Sequence, residues 1–212
     1  MATQTATQPN GPLPAGKQKL IEAALRLCAR DGTTLSSLGL RELAREAGLN
    51  HNTFYRHFGD VNALSNAAAE QVAGRIMAGM KEVRRNAATH ADATVGAAKY
   101  FLEFVEQNPD AFVVGLREIH SIASPMRRLL RQVLDGIAAE SVEQITSMNL
   151  VPGLGREALL RATSVIAYYM FYRAIDFIEH PEQRQRITDD IVNFARAQFL
   201  GSMALQRPSA GA

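Results

Sequence analysis

The chain has 212 residues, of which 47% are hydrophobic and 21% charged, and this composition allows one or two globular domains with a core of ordinary size. A net charge of +2 excludes a strongly basic or acidic surface as a whole, so any interface with nucleic acid must be a local cluster of cations. A single cysteine, Cys28, excludes an intrachain disulfide and a zinc site made of cysteines. Its apolar neighbours predict a buried thiol. A single cysteine without a disulfide partner fits an intracellular, cytoplasmic protein, in a compartment where thiols stay reduced.

Apolar residues recur with a period near 3.6 from Lys17 onward, which predicts an all-α fold of about nine helices. Residues 1–16 and 205–212 have the composition of a disordered arm and a disordered tail, without a signal peptide or a membrane anchor. Between them we expect a small head of short helices over 17–62 and a larger helical body over 63–204. No apolar run approaches the length that spans a bilayer, so we expect no membrane contact.

The head is predicted to contain three short helices. The first begins near Lys17 and stops at Gly32, and the second runs from about Leu40 to Ala47. The third begins after Asn50, whose side-chain oxygen can accept a hydrogen bond from a free amide of the first turn. Asp60 can cap a fourth, longer helix in the same way.

The second and third helices, joined by a turn with a glycine, form the outline of a helix-turn-helix. The outward side of the third helix is the more specific feature, because no acidic residue lies between Asn50 and Phe58. A solvated face usually mixes charges of both signs, whereas a carboxylate on a face that meets phosphates would repel the duplex. The expected outward residues, all hydrogen-bond donors or cations, are His51, Asn52, Thr53, Tyr55, Arg56 and His57.

The chemistry of these side chains suggests a division of roles on DNA. Thr53, Tyr55 and His57 suit phosphates, which set the register of the protein on the duplex. His51, Asn52 and Arg56 have donors that can test base edges in the major groove. Contacts with the DNA backbone are expected from Lys17, Lys19 and Arg41, and Asn50 is a further candidate DNA-binding residue. The alternative is a polar capping region whose aromatic side chains merely cover apolar surface.

The body carries candidates for a ligand tunnel, although an apolar stripe with helical spacing is more often plain core. Arg117, Glu118 and Arg173 lie in apolar helices, where a charged group should be paired or functional. The candidate ligand-binding residues are Phe101, Phe104, Val105, Phe112, Leu116, Arg117, Leu130, Ile166, Met170, Arg173 and Phe177.

The segment LRELAREAGLNHNTFYRHFGDVNAL resembles the DNA-binding signature of TetR-family transcriptional repressors. The resemblance covers roughly residues 17 to 65, and its matching positions are Ala44, Ala47, Gly48, Thr53, Tyr55, His57, Phe58 and Leu64. Where the family often has a lysine that contacts phosphate, this chain has Val61.

The resemblance implies a homodimer that binds a palindromic operator and responds to a small-molecule effector bound in the body. It places the dimer interface on the last two long helices, where small and apolar residues are compatible with close packing. Those residues are Ala158, Ala162, Ala167, Ala174, Ile187, Ile191, Phe194, Ala195, Ala197, Phe199 and Gly201. A monomeric core is the alternative explanation for the same pattern.

The segments YRHFGDV and FLEFVEQNPDAFVVGLRE are similar to repressors of unsaturated fatty-acid synthesis, the FabR and DesT type. This similarity implies a long-chain acyl-CoA or another fatty acyl thioester as effector. A repressor of an efflux or catabolic operon that senses another apolar molecule, or a helical adaptor that binds protein, remains an alternative.

An enzyme is the least favoured interpretation of the chain. The segment GLGREA matches a dinucleotide-binding pattern in letters only, because no strand precedes it. His51 and His57 fall on different faces of a helix, without a carboxylate at metal-ligand spacing. We therefore expect no catalytic site, no metal site and no cofactor other than the effector.

Overall fold

The computed structural model describes residues 13–122 and 124–206, and within them the chain forms nine α-helices, two short 3-10 helices and no strand. This confirms the all-α prediction for the described part of the chain. The α-helices are α1 (Ala15–Asp31), α2 (Leu40–Glu46), α3 (Asn52–His57), α4 (Val61–Arg85), α5 (His90–Gln107), α6 (Pro109–His120), α7 (Met126–Ser147), α8 (Arg156–Glu179) and α9 (Arg184–Gln206). The 3-10 helices span Leu35–Ser37 and Pro181–Gln183.

The two ends of the chain differ slightly from the expected boundaries. Helix α1 already begins at Ala15, and α9 continues to Gln206. Residues 1–12 of the expected arm and 207–212 of the expected tail lie outside the described residues. None of the described helices is both long enough and apolar enough to cross a membrane.

Helices α1, α2 and α3 form the head around side chains that the helical period places on one side of each helix. Leu20, Leu27 and Leu43 are buried together with Phe54 of α3. Gly48 ends the α2 turn with a φ of 65°, a left-handed conformation that glycine adopts without the penalty of a Cβ atom. Burial of these side chains fixes the angle at which α3 leaves the turn, and therefore which of its sides faces outward.

Helices α4 to α9 form the body, with a core of aromatic and branched side chains. Phe101, Phe112 and Phe177 are buried at its centre, and the rings of Phe101 and Phe112 meet edge to face with centroids 5.6 Å apart. Such a contact adds about 0.5–1.5 kcal/mol to the burial of the rings themselves. The body core is therefore held by side chains from α5, α6 and α8.

Helix α6 joins the head to the body through two neighbouring charged residues. The Arg117 Nη1 donates to the backbone carbonyls of Cys28 at 2.7 Å and Thr33 at 3.1 Å, next to the end of α1. The carboxylate of Glu118 accepts a hydrogen bond from the Leu35 N–H at 2.8 Å. The same carboxylate accepts a hydrogen bond from the hydroxyl of Ser124, which precedes α7. We call the contacts of Arg117 and Glu118 the head–body link.

The inward and outward sides of α8 and α9 differ from the sequence expectation. Most of the residues expected at a dimer interface are instead buried inside the subunit, because α8 and α9 pack against each other and against α5 and α7. These residues are Ala158, Ala162, Ala174, Ile187, Ile191, Ala195 and Phe199. The exposed large apolar side chains of the two helices are Leu160, Val165, Tyr168, Tyr172, Leu200 and Leu205.

Candidate nucleic-acid interface and ligand cavities

Polar side chains fix the start of α3 and of the helix that follows it. The Asn50 Oδ1 accepts a hydrogen bond from the Asn52 N–H at 2.9 Å, which confirms the capping contact expected of Asn50. The Asp60 Oδ1 accepts from the Ala63 N–H at 2.7 Å and caps α4 as predicted. Because side-chain hydrogen bonds fix the first turns of α3 and of α4, they define the position of the short α3 before α4.

The outward side of α3 presents Asn52, Tyr55 and Arg56 to solvent. Tyr55 is 58% exposed, although a tyrosine ring would gain from burial. Its ring meets that of the half-buried His51 edge to face, with centroids 5.9 Å apart. The expectation of an outward Thr53 is wrong: Thr53 is only 6% exposed, and its hydroxyl accepts a hydrogen bond from the Arg56 Nη2 at 3.0 Å.

His57 is half-buried against the first turn of α1. A Cβ atom on Gly16 would lie 2.4 Å from the His57 Nε2, so only a glycine leaves room for the imidazole there. Next to this contact, the Lys17 Nζ lies 5.3 Å from the centroid of the Phe58 ring. The end of α3 and the start of α1 therefore bring an imidazole and an ammonium group to the same side of the head.

Three carboxylates of the head, those of Asp31, Glu42 and Glu46, lie in ion pairs with arginines on α1 and α2. The side chains of Arg41 and Lys19, by contrast, are exposed and form no hydrogen bond or ion pair within the described part of the chain. Their charges are available to phosphates without first breaking an intramolecular contact. The ion pairs of the head are Arg26–Glu46, Arg30–Glu46, Arg30–Asp31 and Arg45–Glu42.

A first cavity lies between the head and the body, bounded by α1, α4, α5, α6, α7 and α8. Its walls are almost entirely apolar, and their polar side chains are Ser65 and Glu118. An apolar wall with few polar groups is typical of small-molecule sites. The wall includes four of the candidate residues, namely Phe101, Phe112, Leu130 and Met170.

A second cavity adjoins the first and lies toward the end of α4 that is distant from the head. Its wall includes the candidate residues Ile166 and Met170. Four residues line both cavities: Met80, Ile137, Ala167 and Met170. The polar and charged residues of the second cavity are Arg84, His90, Thr94, Ser141 and Thr163.

The other candidate ligand residues lie away from both cavities. Phe104, Val105, Leu116 and Phe177 are buried core residues, as the apolar period alone would place them. Arg117 belongs to the head–body link. Arg173 donates to Asp176 at 2.7 Å and to Asp190 at 3.0 Å, so its charge is paired inside the subunit.

Sequence reasoning missed Arg84 and assigned no separate role to Glu118. Arg84 follows Met80 by four residues, so both project from the same side of α4, and this spacing is the signal that could have found it. Among the described residues, no group of three or more His, Cys, Asp or Glu side chains could hold a metal ion.

Residues 20–68 match the family described as "Bacterial regulatory proteins, tetR family". This segment contains the α2–turn–α3 unit and the start of α4. The match is limited to the head and the start of α4, and the likenesses to solved structures concern the fold of the whole chain.

The structure is similar to the fatty acid degradation regulator FadR from Bacillus halodurans, with a TM-score of 0.71 at 15% identity over 92% of this chain and 98% of that one. It is also similar to FadR from Bacillus subtilis in complex with stearoyl-CoA, with a TM-score of 0.60 at 16% identity over 88% and 97% of the two chains. A transcriptional regulator from Rhodococcus sp. Rha1 gives a TM-score of 0.67 at 18% identity over 87% and 96%. At these identities the likeness shows a shared fold.

Proposed function

We propose that this chain is a repressor that binds a palindromic operator as a homodimer and responds to a long-chain fatty acyl thioester. The match of residues 20–68 to the TetR family and the fold shared with solved regulators support this proposal. The observation that carries the DNA-binding part is the outward side of α3, where Asn52, Tyr55 and Arg56 are exposed and no carboxylate lies among them. Arg and Asn side chains on such a helix can form bidentate contacts with guanine and adenine in the major groove.

The apolar face of α8 and α9 supports the homodimer. Val165 and Tyr172 are 48% and 61% exposed on one side of α8, and Leu200 is 65% exposed on α9. Exposed apolar side chains concentrated on two neighbouring helices are typical of a protein interface. A twofold dimer through this face would present two α3 helices to DNA, about 34–36 Å apart if the half-sites are one helical turn apart.

The first cavity supports an apolar effector. Its wall offers a long tail almost no polar contact, and a neighbour of the same fold was solved with stearoyl-CoA. Another apolar effector of an efflux or catabolic repressor is the second candidate, because the first cavity contains few polar groups that would select one ligand chemistry.

The position of Glu118 suggests how the effector changes DNA binding. This side chain lines the first cavity and accepts the hydrogen bond from Leu35 in the head. A ligand that moves α6 therefore also moves the contact that orients the head. Effector binding shifts the balance between two head arrangements by as much as its affinity for them differs.

Operator selection from random duplex DNA, with and without stearoyl-CoA, tests the proposal. We expect a palindromic sequence whose affinity falls with salt with a log–log slope of about −0.9 per phosphate contacted, and changes on addition of stearoyl-CoA. Failure to select any sequence would contradict the regulator function. A selected operator that ignores stearoyl-CoA would contradict the acyl effector alone and favour the second candidate.

A further inference from the structure

Arg84, in the last turn of α4, is a partly buried cation that forms no ion pair among the described residues. Its Nη2 donates to the Ser141 Oγ at 3.1 Å and its Nη1 donates to the Gln144 Oε1, both of them neutral acceptors. Burial lowers the pKa of Arg84 to about 10, against the attraction of Glu140, so the guanidinium remains charged at neutral pH. Buried charges in proteins ordinarily have a counter-ion, and a guanidinium has five N–H donors, of which these contacts use two.

The surroundings of Arg84 are suited to an anion. Arg84 lines the second cavity together with His90, Ser141 and Thr94, all of which offer hydrogen-bond donors. Burial lowers the pKa of His90, and the nearby charge of Arg196 lowers it further, so a second cation lies close to this cavity. The carboxylate of Glu140 accepts a hydrogen bond from the Gln144 Nε2 at 3.1 Å and forms no ion pair with Arg84.

The two cavities have opposite charges at their far ends. Glu118 lines the first cavity where it meets the head, and Arg84 lines the second cavity at the distal end of the body. Between them lie apolar side chains that belong to both walls, including Met80 and Met170. Methionine side chains are flexible enough to move aside for a tail that passes from one cavity to the other.

We propose that the second cavity binds the anionic group of an amphipathic ligand, with Arg84 as its counter-ion and the apolar tail extending through the shared wall toward Glu118. The reverse orientation would place the anion beside the carboxylate of Glu118, which repels it. This inference rests on the proposed function for the role of the ligand as effector. It adds the site of the anion and the direction of the tail.

The position of the anion makes ligand recognition depend on the length of the apolar tail. An anion at Arg84 fixes one end of the ligand, so the length of the tail decides whether it enters the first cavity and reaches the side chains around Glu118. The shared chemistry is an apolar tail with an anionic group, supplied either by the carboxylate of a free fatty acid or by a phosphate of an acyl-CoA. Arginine binds both groups through paired N–H donors.

Isothermal titration calorimetry with dodecanoate, 1-dodecanol and lauroyl-CoA tests the site in the full-length protein. We expect wild type to bind dodecanoate roughly tenfold more tightly than 1-dodecanol, since one charge-assisted contact accounts for about that factor. Arg84→Gln should remove this preference and leave the affinity for 1-dodecanol unchanged. Arg85→Gln is the matched control, because the neighbouring arginine is exposed and pairs with Glu82 outside the cavities. It should retain the preference.

Lauroyl-CoA separates the two sources of the anion. A roughly tenfold loss of lauroyl-CoA affinity in Arg84→Gln would assign the site to a phosphate, and a loss confined to dodecanoate would assign it to a carboxylate. If thermal unfolding shows that Arg84→Gln does not fold, Arg84→Lys keeps the charge and should keep the preference of wild type for dodecanoate over 1-dodecanol.

Three results would overturn the site. They are equal binding of dodecanoate and 1-dodecanol by wild type, an unchanged preference in Arg84→Gln, and no binding of any of the three compounds. None of these results affects operator selection, which needs no ligand, so failure of this inference is distinguishable from failure of the DNA-binding function.

Discussion

The carboxylate of Glu118 accepts a hydrogen bond from the backbone N–H of Leu35 at 2.8 Å, although 83 positions separate the two residues in the chain. Glu118 is 1% exposed, belongs to α6 and lines the first cavity, whereas Leu35 lies in the head between α1 and α2. One side chain therefore meets both the first cavity and the backbone of the head.

Glu118→Ala should weaken both the fold and the response to ligand. The change leaves the Leu35 N–H buried without its acceptor, which costs about 1–3 kcal/mol of the free energy of unfolding. Urea denaturation measures this loss, and operator binding with and without stearoyl-CoA measures the response. We expect the ligand-induced change in operator affinity to shrink, because the head no longer follows α6.

Two further variants separate coupling from general destabilisation. Glu118→Gln keeps an oxygen acceptor for Leu35 and should restore most of the stability and of the ligand response. Glu103→Ala removes an exposed glutamate on α5 and should leave both unchanged. If Glu118→Ala retained the full ligand response, the head–body link would have no part in transmitting it.

Arg56→Ala should reduce the preference of the protein for its operator over random duplex DNA. An arginine that contacts guanine contributes about 1–3 kcal/mol of discrimination, whereas Tyr55→Phe removes only a hydroxyl suited to phosphate and should weaken both duplexes alike. Fluorescence anisotropy at several salt concentrations measures both effects. Arg85→Ala, at the distant end of α4, controls for the loss of one positive charge. Equal losses on both duplexes for Arg56→Ala would exclude base recognition by this residue.

Local patterns account for the parts of the molecule that the sequence predicted well. Asn50 and Asp60 cap helices within three residues of themselves, and the period of Leu20 and Leu27 fixes the buried side of α1 without reference to the rest of the chain. Thr53 shows where a local argument fails. Its polarity suggested exposure, but its position one residue before Phe54 turns it toward the head, where Arg56 satisfies its hydroxyl.

Contacts between distant segments account for what was missed. Helix α8 is apolar on several sides, so its sequence does not tell which side meets α7 and α9 and which side, with Tyr172, stays exposed. The surroundings of Arg84 depend on its contact with Ser141 of α7, and those of Glu118 on its contact with Leu35 of the head. A pattern within one helix contains no information about those partners.

Val165→Arg combined with Tyr172→Glu should convert a dimer into a monomer. Both side chains are exposed on one side of α8, and in the proposed dimer the new charges would be buried against the partner without matched counter-ions. Sedimentation velocity measures the change, and operator affinity should fall with it. Ile122→Arg alters an apolar residue that is 87% exposed outside α8 and α9, and should leave the assembly unchanged. A wild-type protein that sediments as a monomer would contradict the dimer directly.

Gly79→Ala should destabilise the body, although alanine normally favours a helix over glycine by about 1 kcal/mol. An added Cβ atom would lie 1.9 Å from the Cζ atom of Tyr100, so the ring must move and its hydroxyl loses the hydrogen bond to the Arg75 carbonyl at 3.0 Å. We expect a net loss of about 1–3 kcal/mol in the free energy of unfolding. Chemical denaturation measures it.

Gly74→Ala is the matched control on the same helix. An added Cβ atom there meets nothing within 4 Å, so this change should stabilise the protein by up to about 1 kcal/mol. In a Tyr100→Ala background the obstacle is absent, and Gly79→Ala should then become neutral or stabilising. Destabilisation that persisted in that background would show that the ring is not its cause.

Cys28 should be inert in the folded protein. Burial raises the pKa of its thiol from 9.0 to about 11, so the reactive thiolate is nearly absent at pH 8, and the side chain is 0% exposed. Alkylation by iodoacetamide should therefore be slow for the native protein and fast in denaturant. The thiol ionises at a lower pH in the unfolded chain than in the folded protein, so the free energy of unfolding should fall as pH rises from about 9 to 11. Cys28→Ala should lack this part of the pH dependence. Rapid alkylation of the native protein at pH 8, at the rate seen in denaturant, would show that the end of α1 opens readily and that the carbonyl contacts of Arg117 do not hold it closed.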